Sequence, residues 1–278
     1  MMDITILIIT YKSEKIIYDF IKKIPSNYKT IIIENSENYA LKKDIEKKYD
    51  NIKFYIKKNN GVSSSINYAV DKIETKYFLQ ISPDIDFNFE DLKFFLNLAE
   101  DKNDKFAAIG PRFLDVKEKS HKQIDENLKF GKINSVHGSC MFINKKSFLD
   151  IGKFDENFFL YFEETEYCYR AKKKGYFSYQ INESKVRSTG RSVDIEKENK
   201  ENFSNILIWH FIWSKFYFNK KRYGIFLSII IFIPILIRIL FRIMLYRITK
   251  NYSLLDKYKI RLDGLLKSIK GEKSSLRP

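Results

Sequence analysis

The 278-residue chain has 44% hydrophobic and 16% aromatic side chains. That is too apolar for a disordered protein, and the length suits one large α/β domain with a tail, or two small domains. The formal net charge is +15, and +12 of it lies in Asn205–Pro278, which holds fifteen Lys or Arg against three acids. Such a tail attracts anionic lipid or nucleic acid, though lysine is abundant throughout the chain. No helix-turn-helix, zinc or RNA-binding signature accompanies the charge, which argues against a nucleic-acid partner.

Short β-branched runs alternate with amphipathic stretches through the first half. Ile4–Ile9 reads as a strand buried on both faces. Glu14–Ile24 has helical spacing and stops at Pro25. Thr30–Ile33, Ile52–Ile56 and Tyr77–Ile81 read as further strands, with helices at Tyr39–Tyr49 and Val62–Ile73 between them. This βαβαβαβ order predicts an α/β fold with a mostly parallel sheet and helices on both faces. Ligands of such sheets lie beyond the carboxyl ends of the strands. The segments expected there are Thr10-Tyr11, Glu34-Asn35-Ser36, Asn59-Asn60-Gly61 and Ser82-Pro83-Asp84-Ile85-Asp86.

Phe113–Lys132 is polar and reads as a loop, Ser139–Ile143 as a strand, and Glu163–Lys174 as a helix ended by Gly175. Tyr176–Ile181 and Lys185–Val186 read as short strands. Long helices follow Glu196, so the expected division is 1–196 for the α/β domain and 197–278 for a helical tail. The chain opens directly on a strand-like run, without a basic segment leading into an apolar one, so no signal peptide is expected. Cys140 and Cys168 match neither a disulfide framework nor a metal spacing and read as buried thiols in a reducing cytoplasm.

Asp84 and Asp86 follow a buried strand at a proline turn. Two carboxylates there can hold a divalent cation that binds a diphosphate, or can simply form a solvated turn. Gly61 and Asn67 flank a helix start, where a glycine lets backbone approach a phosphate; a plain turn is the commoner case. Glu163, Glu164 and Glu166 open a helix. They can serve the helix dipole and an i,i+4 pair with Arg170, or one of them can take a proton from an acceptor hydroxyl.

The pieces Ile8-Ile9-Thr10-Tyr11-Lys12-Ser13, Ile33-Glu34-Asn35-Ser36, Asn60-Gly61 with Asn67, Ser82-Pro83-Asp84 and Gly138-Ser139-Cys140-Met141 occur in this order. They are followed by the continuous run from Gly152 to Glu166, Gly-Lys-Phe-Asp-Glu-Asn-Phe-Phe-Leu-Tyr-Phe-Glu-Glu-Thr-Glu. Together they resemble glycosyltransferase family 2, the GT-A fold, and within it the rhamnosyltransferase-like branch, over roughly residues 3–195. The resemblance implies an inverting transfer of a sugar from a nucleotide-sugar donor, dTDP-rhamnose in that branch, to a glycan or lipid-linked acceptor. It implies a donor site at Thr10, Tyr11, Glu34, Asn35, Gly61, Asn67 and Asp84. Mg²⁺ or Mn²⁺ would be held by Asp84 with Asp86, Glu164 would be the catalytic base, and Gly138, Glu163 and Glu166 would support the acceptor side.

The sequence departs from the pattern at Ser82, where Asn or Asp is common, and at Glu164 and Glu166, where Asp is usual. Arg187 stands where a His usually precedes the Gly-x-Ser seen here as Gly190-Arg191-Ser192. A guanidinium there is expected to contact the donor diphosphate and to replace part of the metal's charge, or, if the strand register slips, to point to solvent. These departures keep a second reading open, a weakly active or inactive relative that binds a nucleotide sugar or a partner.

In the tail, Ile225–Ile237 is an apolar run interrupted only by Ser228 and Pro234 and flanked by cations on both sides. It is shorter than the roughly 20 residues of a span. A monotopic or re-entrant anchor on the cytoplasmic face of an anionic membrane is the first expectation, a single span extended to Tyr246 the second, and a helix packed on protein the third. Trp209, Trp213, Phe211, Phe216, Tyr217 and Phe218 are expected either in an interfacial belt or packed against the first domain.

Overall fold

The computed structural model describes residues 3–115, 123–190, 193 and 200–278. They fall into two compact units, Met1–Asp155 with Glu163–Asp194, and Glu156–Phe162 with Ile195–Pro278. The expected boundary near Glu196 lies outside the described residues, as do Arg191 and Ser192. Nothing in the periodicity announces that Glu156–Phe162 groups with the helical unit.

In the first unit, β1 (Ile4–Thr10), α1 (Glu14–Lys23), β2 (Lys29–Glu34), α2 (Tyr39–Lys48), β3 (Ile52–Ile56), α3 (Val62–Val70) and β4 (Tyr77–Ile81) follow in the expected order. Both faces of β1 are covered. Ile4, Ile6 and Ile8 join the core with Ile17 and Phe20 of α1, Ile45 of α2 and Phe95 of α4 (Leu92–Asp101). Leu7 points the other way, into the core with Ile66 of α3, Phe148 of α5 (Lys145–Ile151) and Tyr167 of α6 (Glu163–Lys173). This two-sided burial is why the strand is a near-continuous apolar run.

The later strands are β5 (Ile85–Asp86), β6 (Phe106–Phe113), β7 (Phe130–Ile133), β8 (Cys140–Asn144) and β9 (Phe177–Ser188). Their spatial order is β3-β2-β1-β4-β8-β6-β9-β5, with β7 also on β9. Neighbours from β3 to β4 are parallel, β8 is antiparallel to β4 and β6, β9 is parallel to β6, and β5 and β7 are antiparallel to β9. The sheet is therefore mixed. The carboxyl ends of β1, β2, β3, β4 and β9 reach one edge, where β8 begins.

Two expectations change here. Phe130–Ile133, expected within a loop, is a strand, and part of the preceding stretch is pinned to β9, because Asn182 donates to the carbonyls of Asp125 and Leu128. The two short strands at the end of the unit are one strand, Phe177–Ser188, whose pairing with β6 shifts register between Pro111 and Arg112.

In the second unit, α7 (Lys200–Ile248) is interrupted at Gly224, whose φ of 81° and ψ of 168° are open to glycine and costly for other residues. The chain folds back there, so that the rings of Phe216 and Phe232 meet at 5.0 Å. Helix α8 (Tyr252–Lys270) completes the bundle around Ile212, Phe216, Phe232, Ile239 and Leu265. It approaches α7 closely at Gly264, where an added Cβ would come within 2.9 Å of the Trp209 carbonyl oxygen.

Trp209 and Trp213 are each 2% exposed, and their indoles donate to the Asp263 carboxylate and the Glu272 carbonyl. With Phe216 and Phe218 also buried, these side chains belong to the bundle core and do not form an interfacial belt. A buried indole needs a hydrogen-bond acceptor, and the bundle supplies both. Beyond Gly224, by contrast, Phe226, Ile237, Phe241 and Met244 are 61–74% exposed. Among the described residues, α7 is the one helix long and apolar enough to cross a membrane.

Candidate functional site

Thr10 and Glu34 end neighbouring parallel strands in register. The Thr10 hydroxyl donates to one oxygen of the Glu34 carboxylate, and Ser36 donates to the other through both its hydroxyl and its backbone N–H. Glu34 is fully buried, so these donors replace the water that a carboxylate would lose. Asn35 is buried beside it and accepts from the Ser65 hydroxyl at 2.9 Å. Ser65 also donates to the carbonyl of Gly61, the cap of α3, at 3.0 Å. The structure thus brings Thr10, Glu34, Asn35 and Gly61 together, with half-buried Tyr11 directly after Thr10.

Asn67 stands apart. Its side chain brackets the Phe154 peptide, donating to the carbonyl at 2.9 Å and accepting from the N–H at 3.0 Å. At 5% exposure it holds the loop after α5.

Asp84 follows β4 on the same edge. It is 9% exposed, and its carboxylate accepts from the Ser188 hydroxyl at 2.6 Å. Its carbonyl accepts from the Thr189 N–H at 2.9 Å, and the Ser82 N–H donates to the Ser139 carbonyl at 2.9 Å. The turn after β4 is therefore laced to β9 on one side and to the start of β8 on the other.

Asp86 is not paired with Asp84. It is exposed and forms a 2.9 Å ion pair with Lys23. Arg187 is exposed and lies opposite Asp86 in the β5–β9 ladder. Strand alternation sends Arg187 to the exposed side and Ser188 to Asp84. Ser188 is the residue that the sequence reading missed. The alternation Ser184, Val186, Ser188 against Glu183, Lys185, Arg187 carries the signal.

Among the described residues, Asp84 is then the carboxylate at this edge that fits a divalent cation. Among the described residues no cluster of three or more His, Cys, Asp or Glu forms. One carboxylate matches a Mg²⁺ or Mn²⁺ site whose other ligands are diphosphate oxygens and water.

The three glutamates of α6 separate by environment. Glu166, 1% exposed, accepts from Arg170 Nε with both oxygens at 2.9 Å. The remaining Arg170 nitrogens donate to the carbonyls of Ile151, Gly152 and Lys153 at 2.8–3.0 Å. Charge-assisted bonds of this kind are the strong ones, so Glu166 serves the loop after α5.

Glu164, 6% exposed, accepts from its neighbour Thr165 at 3.1 Å and lies against Gly138, where an added Cβ would stand 3.6 Å from its carboxyl. The missing side chain at 138 leaves room over that carboxylate. Glu163 is buried at the first position of α6. Gly138 joins Ser139, whose carbonyl accepts from Ser82, so short local connections link Glu164 to the Asp84 turn. Cys140 and Cys168 are free and buried, and burial pushes the Cys140 thiol far above its ordinary pKa.

A half-parallel α/β sheet with polar groups at the carboxyl edge defines a Rossmann-like architecture. The family model "Glycosyl transferase family 2" matches residues 5–152, and the chain belongs to that family. Over 197 residues it is 28% identical to the low-salt glycan biosynthesis hexosyltransferase Agl10 of Haloferax volcanii, a match covering 62% of each protein. Its fold resembles that of S. aureus TarS 1-349 in complex with UDP-GlcNAc, with a TM-score of 0.56, 12% identity, and coverage of 98% of this chain and 93% of that one. It also resembles GalNAc-T7 with UDP, GalNAc and Mn2+, with a TM-score of 0.53, 14% identity, and coverage of 79% of this chain and 50% of that one.

The environments of the glutamates predict a split in stability. Glu166→Ala leaves the Arg170 guanidinium without its buried partner, and its unfolding free energy in urea should fall by about 3 kcal/mol. Glu164→Gln keeps shape and hydrogen-bonding capacity and should leave the urea midpoint almost unchanged. Equal losses in the two variants would contradict the assignment of Glu166 to the scaffold.

Proposed function

We propose that this chain is an inverting glycosyltransferase that moves a sugar from a nucleotide-sugar donor to a hydroxyl of a glycan or lipid-linked acceptor, in cell-surface polysaccharide synthesis. The observation that carries the reading is the sorting of the α6 carboxylates. Glu166 is consumed by Arg170, while Glu164 sits beside a glycine at the edge where the strands end.

The donor's nucleotide is bound by Thr10, Tyr11, Glu34 and Asn35, and the Gly61 turn lies under its phosphates. Glu164 removes the proton from the acceptor hydroxyl as that oxygen attacks the anomeric carbon opposite the departing nucleoside diphosphate. Asp84 would hold the cation, with Ser188 orienting its carboxylate. When bound, Mg²⁺ or Mn²⁺ neutralises the charge that develops on the leaving diphosphate. The relative's hexosyltransferase name and the UDP-sugar held by TarS support UDP-hexoses as donors, and the sequence resemblance supports dTDP-rhamnose.

The helical unit serves as the membrane anchor. Past Gly224, Phe226, Ile237, Phe241 and Met244 are exposed on the side away from the bundle core, and Lys220, Lys221, Arg222, Arg238, Arg242 and Arg247 accompany them. Arg238 is exposed near the middle of that 24-residue stretch, a costly position in a spanning helix. A hairpin lying in the cytoplasmic interface of an anionic bilayer suits it better.

Three experiments test the reading. Glu164→Gln should retain donor affinity by calorimetry and lose about 10²–10⁴-fold in transfer rate; near wild-type turnover would move the base elsewhere. Asp84→Ala should weaken donor binding strongly with Mg²⁺ or Mn²⁺ present and little without, and an equal effect in both conditions would remove Asp84 from metal binding. The full chain should co-sediment with phosphatidylserine-containing vesicles, and Phe226→Ser with Phe241→Ser should release it. High salt should weaken attachment only in part, because salt screens charge and leaves apolar insertion intact. An unchanged vesicle-bound fraction in the double variant would contradict the anchor.

A further inference from the structure

The first unit contains a cavity of about 320 Å³ between α6 and the paired strands β7 and β9. Lys132 and Asn134 line it from the end of β7, Phe177 and Ser178 from the start of β9, and Cys168 and Lys172 from α6. At ~30 Å³ per water molecule, the space equals that of about ten waters. It is ring-sized rather than ion-sized, at the lower end of small-molecule sites. The cavity is separate from the donor edge. β9 runs in the same direction as β4, and at its far end Ser188 meets Asp84. Ser178 stands ten residues before Ser188, roughly 30 Å along an extended strand.

The lining holds two lysines and no acid. Both lysines are exposed, and the Lys132 ammonium sits over the Phe177 ring, 3.9 Å from its centroid, a contact that seats the charge at the rim. Ser178, Gln180 and Asn182 point to one face of β9 by strand alternation. The loop before β7 satisfies the last two. Gln180 accepts from the Ile124 N–H at 3.3 Å, and Asn182 donates to the carbonyls of Asp125 and Leu128. Ser178 lies at the cavity end of the row. It is 4% exposed, and among the described residues its hydroxyl has no hydrogen-bond partner. A buried hydroxyl in that state is costly, and a polar group in the cavity can relieve it.

We propose that this cavity binds a small anionic sugar, one that carries a phosphate or a carboxylate. Lys132 and Lys172 take the acid group as point charges. The Asn134 amide and the Ser178 hydroxyl take ring hydroxyls. An inorganic anion would meet the lysines and leave most of the space and both neutral polar groups unused. The site lies outside the machinery proposed for sugar transfer, and it stands whether or not the chain turns over a nucleotide sugar.

The test is calorimetric titration of the full-length chain with glucose 6-phosphate, glucuronic acid, glucose and inorganic phosphate. At least one of the two acidic sugars should bind saturably, about tenfold or more tighter than glucose or inorganic phosphate, and the better of the two names the acid group. Lys172→Ala, an exposed position, should weaken that binding about tenfold or more. Ser178→Ala should weaken it about two- to tenfold without lowering the urea midpoint, because it deletes a hydroxyl that has no partner. Asp84→Ala, altered at the donor edge, should bind as the parent does. Absence of saturable binding by either acidic sugar would overturn the proposal, as would inorganic phosphate binding equally well. Parent-like affinity in Lys172→Ala or Ser178→Ala, or a loss in Asp84→Ala, would place the ligand elsewhere and overturn it too.

Discussion

The contact of the Glu166 carboxylate with the Arg170 guanidinium organises the region on which the proposed chemistry depends. A buried carboxylate must be given donors, and Arg170 supplies them while its other nitrogens donate to three successive carbonyls, Ile151 to Lys153, at the end of α5 and the start of the following loop. One ion pair thereby fixes the exit of that loop and the first turns of α6. It also removes Glu166 from the proton chemistry. The same rule holds for Glu34, satisfied by Thr10 and Ser36, and for Asp84, which accepts from Ser188. Each carboxylate is assigned by its donors. Glu164 differs from the others in lying against the bare backbone of Gly138.

The sheet supplies the geometry in which this matters. Parallel neighbours from β3 to β4 bring polar strand ends to one edge, and the reversed β8 begins at that edge, directly after Gly138 and Ser139. Groups far apart in sequence become neighbours: Thr10 with Glu34, Ser82 with Ser139, Asp84 with Ser188. The edge is polar because the strands end there, and the donor-binding roles proposed for it follow from that placement.

Much of the first unit was legible in the sequence because its physics is local. Continuous β-branched runs marked β1 to β4, and helical spacing with a proline stop marked α1. The carboxyl-edge segments Thr10, Glu34-Asn35 and Asp84 were found by that logic alone. What escaped depended on long-range pairing. The pairing of Phe130–Ile133 with β9 is hidden in a polar stretch. Asn67 looked like a ligand because a helix start is a common phosphate site, yet its amide is used on a peptide 87 positions away. Ser188 escaped because strand parity, one residue in register, decides which side chain faces Asp84. The burial of Trp209 and Trp213 was open for a related reason: an aromatic stripe has the same spacing whether it meets lipid or protein.

Displacement at the anomeric carbon by a hydroxyl that Glu164 deprotonates is the central claim, and it has a stereochemical signature. Proton NMR of the product formed by the full-length chain from an intact nucleotide sugar reports the anomeric configuration directly. The account predicts a product whose configuration is opposite to that of the donor. Retention of the donor's configuration would contradict it.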